Sequence, residues 1–531
     1  MKKGSRPTLF FILLALSQVL LFVSAGRLVH IGEAYLDIAG IAFRLPAGQF
    51  ILLYFSSWFV MGLLFFLFPR RCTFKTSAAI VLFLSIGCRL AVFPMAPSDD
   101  INRYLWEGKL ISMGTSPYHH APSSMEKTAL ARSDPFFAGI NHKDISAAYP
   151  PGILFIFSGI SMLSYTPGAI KTAIILFDLA SVFLLALLLH QRSTDLRWAL
   201  LYAVNPLVVT SFAGLAHYDA ILVCALLAAL FCHAKKWWRW GFFFLGLSIQ
   251  IKYIGLFALP FFISRQNLKH TWVLWAAVTL PYVPFLIKGP ATVFSGLTTF
   301  GSDFAFNSCL QAVFQLALGS MEAATQICGI LFVSCLGLFY CLKLIPRFSR
   351  IYSEPLNGTF LAFGALLVFS PTVHFWYLTW ILAFAVLKRS LPWILLTFSM
   401  GFYFTVIGNA HHTGQWDYPP VYQAMVWLPF IIMLAVQCLL FSFRLFRFHP
   451  PARSAAVSVI IPCQNEADNI TPCIRQVRMD PAVREIIVVD AGSADSTVEL
   501  AQKAGATVIF HHAAPSDGGG RGGQIHAGLD A

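Results

Sequence analysis

The residues best placed for chemistry are two adjacent acids in the stretch Pro97-Ser98-Asp99-Asp100-Ile101-Asn102-Arg103-Tyr104-Leu105-Trp106-Glu107-Gly108. They follow directly on an apolar run, Ala78 to Met95. Carboxylates are costly inside hydrocarbon, so a pair at that boundary is either a polar anchor or a reaction site. A carboxylate held at such a site can act as a general base. Ser98 or Asp99 can equally cap the helix that follows, leaving the second acid to react. Arg103 lies three residues after Asp100, on nearly the same face of a helix, where it either pairs with the acid or binds phosphate. Lys252 interrupts the apolar run Phe242 to Ile263 and either snorkels or contacts an anion. His217, Asp219 and His374 stand in short polar clusters suited to substrate contact, with metal binding as the weaker alternative.

The elements that must position these residues are membrane helices. The chain has 531 residues, of which 57% are hydrophobic and only 11% charged, against about a quarter charged in a soluble globular protein. Twelve apolar segments approach or reach the ~17–25 residues that cross a bilayer: about 8–28, 49–68, 76–95, 168–190, 198–214, 218–234, 271–287, 321–343, 356–371, 375–388, 391–408 and 420–443. The fold class is therefore a polytopic α-helical membrane protein. The net charge of +13 resides in basic loops such as Lys235/Lys236/Arg239 and Lys388/Arg389. These loops share the cytoplasmic side, so the charge sets topology and does not indicate a nucleic-acid partner. The eleven cysteines are scattered, as in Cys88, Cys224, Cys335 and Cys438, and suggest neither a disulfide framework nor a zinc site.

That sidedness makes two segments irregular. Pro150 to Tyr165 reads as an interfacial or re-entrant helix started by Pro150-Pro151. Phe242 to Ile263 dips in and returns, with Lys252 near the turn, which is tolerated at membrane depth only inside protein or a watery cavity. The remaining polar loops, 29–48, 96–149, 215–218, 288–320, 371–375 and 409–419, then face the non-cytoplasmic side. Loop 96–149 is the longest and serves as a roof for a site at that interface. Trp376, Tyr377 and Trp380 read as an interfacial aromatic belt.

Composition changes after Arg453, with a linker over 446–456. Strands over 457–462, 485–490 and 506–510, with helices over 465–478 and 496–504 and a possible further helix, predict a parallel Rossmann-like α/β segment.

The motifs S-D-D-x-x-R-Y-L-W-E-G-K, G-x-S-P-Y-x-x-x-P, I-N-H, Y-P-P, H-Y-D-A and P-T-V-H-F-W-Y-L-T-W together resemble the GT-C superfamily of membrane glycosyltransferases, in its mannosyltransferase-like branch, over residues 1–445. The tail, V-S-V-I-I-P-C-Q-N-E-A-D-N-I and E-I-I-V-V-D-A-G-S-A-D-S-T, resembles the start of a family-2 glycosyltransferase of the GT-A fold over 457–531. In that family the D-x-D metal motif and the catalytic base lie beyond Ala531, so the segment is expected to be truncated and cytosolic.

The resemblance implies a polyprenyl-phosphate sugar donor, transfer of a hexose, mannose in this branch, and a glycan, lipid or protein acceptor. The superfamily pattern of an acid four residues before a Tyr picks Asp100 as base, with Asp99 second, and Tyr104 beside it. A single base implies inversion at the anomeric carbon, without the paired carboxylates of a retaining glycosidase. Arg103, Tyr104, Lys252, His217, Asp219 and His374 would contact the donor phosphate or substrate, and a divalent cation (Mg2+ or Mn2+) is a possible cofactor. In the tail, Pro462, Glu466, Asp490 and Arg521 would bind a nucleotide. The expected setting is a prokaryotic inner membrane, in contact with membrane lipids and with both termini cytoplasmic. Two other functions stay open: nucleotide-sugar transfer by the C-terminal domain, and a lipid-linked sugar transporter or flippase, to which charges at membrane depth are also suited.

Overall fold

The computed structural model describes residues 5–531, apart from 29, 34, 39–40, 70–71, 289–292, 303–304, 347, 349–351, 417, 447–456, 481, 512–520 and 530–531. The expected linker falls almost wholly outside the described residues. The chain forms two compact units, Met1–Ala435 and Val436–Ala531.

The first unit is helical, apart from a short antiparallel hairpin of β1 (Tyr35–Ile38) and β2 (Ile41–Pro46). All twelve apolar segments correspond to helices, but not all are equal. Among the described residues eight helices are long and apolar enough to cross a membrane, and a ninth candidate, Leu196–Ala203 with Pro206–Gly214, is bent by 46°. The bend has a local cause. Pro206 lacks the N–H a continuous helix needs, and Asn205 restarts the helix by accepting from the Leu207 N–H at 3.0 Å. The other three, Asp219–Ala234, Pro355–Phe369 and Phe375–Lys388, are shorter helices. The chain is a polytopic helical membrane protein.

Buried charges in these helices meet an opposite charge or polar backbone, which lowers their cost in hydrocarbon. Arg89 in the Phe74–Val92 helix meets Asp178 in the Pro167–Gln191 helix at 2.7 Å, both side chains fully buried. Tyr202 donates to the other oxygen of Asp178 at 3.2 Å. Lys171 closes the end of the first of these helices by donating to the carbonyls of Phe93 and Met95 at 2.7 and 2.5 Å. The Ser98 N–H then bonds the Leu215 carbonyl at 3.0 Å. The segment carrying the acids is thus tied to the segment carrying His217.

The Asp100–Ser112 helix lies against Pro151–Leu163, and Gly108 is what lets the two backbones approach. A Cβ there would sit 2.7 Å from the Phe157 carbonyl carbon. The second irregular segment also takes a broken form. The Trp238–Ile251 helix stops at Lys252, which is extended (φ −153°, ψ 132°), and a 3-10 turn over Tyr253–Ala258 follows. The chain folds back so closely that a Cβ on Gly255 would lie 2.7 Å from Ser248 Oγ.

The second unit carries a parallel sheet in the order β3 (Val457–Cys463), β4 (Val483–Asp490), β5 (Thr507–Phe510), with Pro462 opposite Val489. Helices Ala467–Arg478 and Thr497–Lys503 link the strands, and Ile470, Ile474, Ile486, Val488 and Ala501 form a small core. A further helix, Arg521–Leu529, is fastened to the sheet by Gln524, which donates to the carbonyls of Cys463 and Val489 at 3.1 and 3.0 Å.

Candidate active site

Asp100 opens its helix, and neither expected cap performs that role. Asp99 is exposed and makes no side-chain cap, and the Ser98 hydroxyl is buried without a partner. Asp100 instead receives one hydrogen bond, from Asn141 Nδ2 to Oδ1 at 2.7 Å. Its Oδ2 faces His217 Nδ1 at 3.7 Å, and about a quarter of the side chain (24%) remains accessible. Burial among neighbours, and next the charge of Asp99, push the Asp100 carboxyl above the usual carboxylate range, with Asn141, Arg103 and Lys252 opposing the shift. A recessed, under-bonded carboxylate with a raised pKa is suited to accept a proton.

Lys252 stands in an aromatic cage. Its Nζ pairs with Asp219 Oδ1 at 2.7 Å and lies 5.4, 4.9 and 4.6 Å from the ring centroids of Tyr218, Tyr377 and Trp380. Trp380 Nε1 donates to the same Asp219 oxygen at 2.6 Å. The extended break at Lys252 projects this ammonium out of its helix, and Asp219 meets it from the first turn of the neighbouring one. The Lys252 side chain is about one-fifth exposed (20%), so it is not sealed from an incoming anion.

His217 and His374 sandwich Trp376. The imidazole centroids lie 3.8 and 4.4 Å from the indole, at interplanar angles of 12° and 2°. Trp376 and Tyr377 are half-buried and Trp380 is buried, so the run expected as an interfacial belt packs largely onto this cluster. His374 Nδ1 pairs with the Tyr403 hydroxyl at 2.9 Å. Burial and then the charge of Lys252 push His374 down to about 3 and His217 well below its usual value. Both shifts favour the neutral imidazole. His217 Nε2 is buried and has no partner.

Tyr104 is buried and stacks on Phe157 at 4.6 Å, with Tyr218 edge-on at 5.4 Å. Arg103 is also buried, and its donors are spoken for. Nε bonds Glu107 at 2.8 Å, Nη1 bonds the carbonyls of Asn141 and His142 at 3.3 Å, and Nη2 bonds those of Ile145 and Ser146. Arg103 pairs with Glu107, not with Asp100. The structure thus brings Asp100, His217, Asp219, Lys252 and His374 into one cluster, with Asp99 and Arg103 behind it. Asn141 and Tyr403 are additions that spacing did not reveal, although the I-N-H motif contains the first. Among the described residues no three His, Cys, Asp or Glu side chains come together as a metal site. Asp219 is committed to Lys252 and Trp380, so among the described residues this cluster offers no ready set of ligands for a divalent ion.

In the second unit Asp490 ends β4, where parallel sheets bind ligands. Its Oδ2 accepts the N–H groups of Gly492 and Ser493 at 2.9 and 2.8 Å, and the Ser493 hydroxyl bonds Oδ1. Exposed Glu466 accepts from Asn469 at 2.9 Å. Arg521 opens the last helix, and its side chain lies outside the described residues.

The class of protein is shown by comparison with known families: the matching family models are mannosyltransferase and family-2 glycosyltransferase domains, so the chain is a glycosyltransferase. The particular family follows from two family models. Residues 45–266 match the alpha-(1->6)-mannopyranosyltransferase N-terminal domain (the MptA/MptB family) and residues 305–439 match the MptB C-terminal domain. Together they cover about two thirds of the chain, and the chain belongs to this mannosyltransferase family. Residues 458–530 match glycosyl transferase family 2. No curated protein and no solved structure is detectably similar to the chain.

Proposed function

We propose that the protein transfers mannose from a polyprenyl-phosphate donor to an acceptor hydroxyl on the non-cytoplasmic side of a prokaryotic cell membrane, with Asp100 as general base. The observation that carries this reading is the under-bonded Asp100 carboxylate in one cluster with the caged Lys252 ammonium. Asp100 takes the proton of the acceptor hydroxyl as that oxygen attacks the anomeric carbon. The bond from that carbon to the phosphate oxygen breaks, and its electron pair leaves with the polyprenyl phosphate. Lys252 stabilises the charge that gathers on the phosphate, its bond to Asp219 exchanging for one to the leaving group. In-line attack inverts the anomeric centre. The acceptor is a glycan, lipid or protein hydroxyl. Basic loops such as Lys235/Lys236/Arg239 favour cytoplasmic placement of both termini.

The test uses the purified full chain, labelled polyprenyl-phosphate mannose and a mannoside acceptor. Product of inverted configuration is expected from the native enzyme and none from Asp100→Asn. Full transfer by that variant would remove Asp100 as base, and translocation of the lipid without a new glycosidic bond would favour a transporter. A second reading rests on the family-2 match: the sheet edge at Pro462, Glu466 and Asp490 binds a nucleotide sugar. Titrating the full chain with a nucleoside diphosphate, with hydrogen exchange read at residues 463–497, tests it.

A further inference from the structure

We propose that Arg103 and Glu107 form a buried clamp that aims Asn141 at Asp100, making all three positioning residues for the base. The proposal rests on the reading of Asp100 given above. Its basis is a set of contacts that the transfer step leaves unused. Arg103 is 2% exposed and Glu107 1%. Glu107 lies one turn further along the same helix and fixes the guanidinium through Nε at 2.8 Å. With the guanidinium so oriented, its two amino groups meet four carbonyls of one segment, those of Asn141, His142, Ile145 and Ser146. Four carbonyls converging on one cation is a costly arrangement for a loop unless the cation is in place. The segment also takes a left-handed turn at His142 (φ 44°), a conformation that non-glycine residues rarely adopt and that surrounding contacts must hold.

What this segment presents to the reaction is the Asn141 amide, 2.7 Å from Asp100 Oδ1. That donor occupies one carboxylate oxygen and leaves Oδ2 on the His217 side. A loop held only by its own backbone would let the amide wander by an ångström or more, and misplacement on that scale costs on the order of 100-fold in rate. Arginine is the residue the clamp requires. Its planar fork meets Glu107 and four carbonyls together, whereas a lysine ammonium has three donors at one point. Gly139 continues the same docking, its carbonyl accepting from Asn102 at 2.9 Å one position before Arg103.

The readout is the acidic limb of kcat/KM. Asp100 must be ionised to act, and the Asn141 donor favours its ionised form. Other groups facing Asp100 are Asp99 and Arg103 of its own segment, His217, Lys252, and the phenols of Tyr104, Tyr149, Tyr218 and Tyr377. None of them is altered in charge by Asn141→Ala or Arg103→Lys. Asn141→Ala should move the limb up by about one pH unit, the worth of one charge-assisted hydrogen bond. Arg103→Lys keeps the charge and loses the fork, so it should move the limb the same way, with kcat down on the order of 100-fold. The double variant should shift no further than Asn141→Ala alone, since both remove one interaction. Separate shifts that add, or no shift in Asn141→Ala, would overturn the clamp. Asn141→Ala touches no other partner of Arg103, so it stays informative if Arg103→Lys folds poorly. A dead Asp100→Asn enzyme with unmoved limbs in the clamp variants defeats the clamp alone. An active Asp100→Asn enzyme defeats the underlying assignment of the base.

Discussion

Asp100 and Asp490 are both acids at the end of an apolar element, and their surroundings make them opposites. Asp490 is 1% exposed, and its oxygens are consumed by two backbone N–H groups and a hydroxyl of the next turn. Asp100 has one donor, a histidine nitrogen at 3.7 Å, and access to solvent. A carboxylate saturated by its own turn holds backbone conformation. A carboxylate short of donors keeps lone pairs for a substrate proton. The family-2 match and the mannosyltransferase match thus sit on two acids with different uncommitted capacity, and among the described residues the first unit sets its acid near a cation and two imidazoles.

This contrast can be broken in four ways. The largest effect belongs to Asp100→Asn, which should lower kcat for mannosyl transfer by about 100- to 10,000-fold, the range of general-base catalysis, as measured by product formation under donor saturation. Next, Lys252→Gln should lower kcat/KM by about 100- to 1,000-fold, as losing one charge-stabilising donor does. A purely structural Lys252 would leave the rate per folded molecule intact. Third, Asp490→Ala should leave transfer unchanged and destabilise the C-terminal sheet by about 2–3 kcal/mol, seen as faster hydrogen exchange over β3 and β4 in the full chain. Loss of transfer instead would mean that the second unit takes part in the reaction. The smallest effect is that of Asp99→Asn. The Asp99 charge helps hold Asp100 above the usual range of about 4, and activity is lost as pH falls through that raised value. Removing the charge should move the acidic limb to lower pH and change kcat by no more than about twofold.

Lys252 illustrates how far reading from residues reaches. A lysine inside an apolar run announces a break or an ion, because an unpaired ammonium is intolerable there, and the helix does stop at that residue. Its partner, Asp219, is 33 positions away on another helix, and no local pattern names it. Arg103 shows the converse. Its spacing from Asp100 is right for pairing, yet the guanidinium turns to Glu107 and the 141–146 carbonyls. The aromatic run Phe375-Trp376-Tyr377 has the composition of an interfacial belt, and tertiary packing turns it inward onto His217, His374 and Lys252.

What could be read residue by residue was whatever depends on short-range physics. Hydrophobic length located all twelve apolar helices, alternation of apolar strands and helices located the parallel sheet, and the cost of charge in hydrocarbon marked Asp100 and Lys252. The three-dimensional arrangement alone decided which donors each charged group receives. Hydrogen bonds and ion pairs depend on ångström distances between segments far apart in the chain, and several partners compete for each group. Asp490 was satisfied by its own turn and Asp100 was left with Asn141, a difference set by which segments the fold brings within ångströms of each acid.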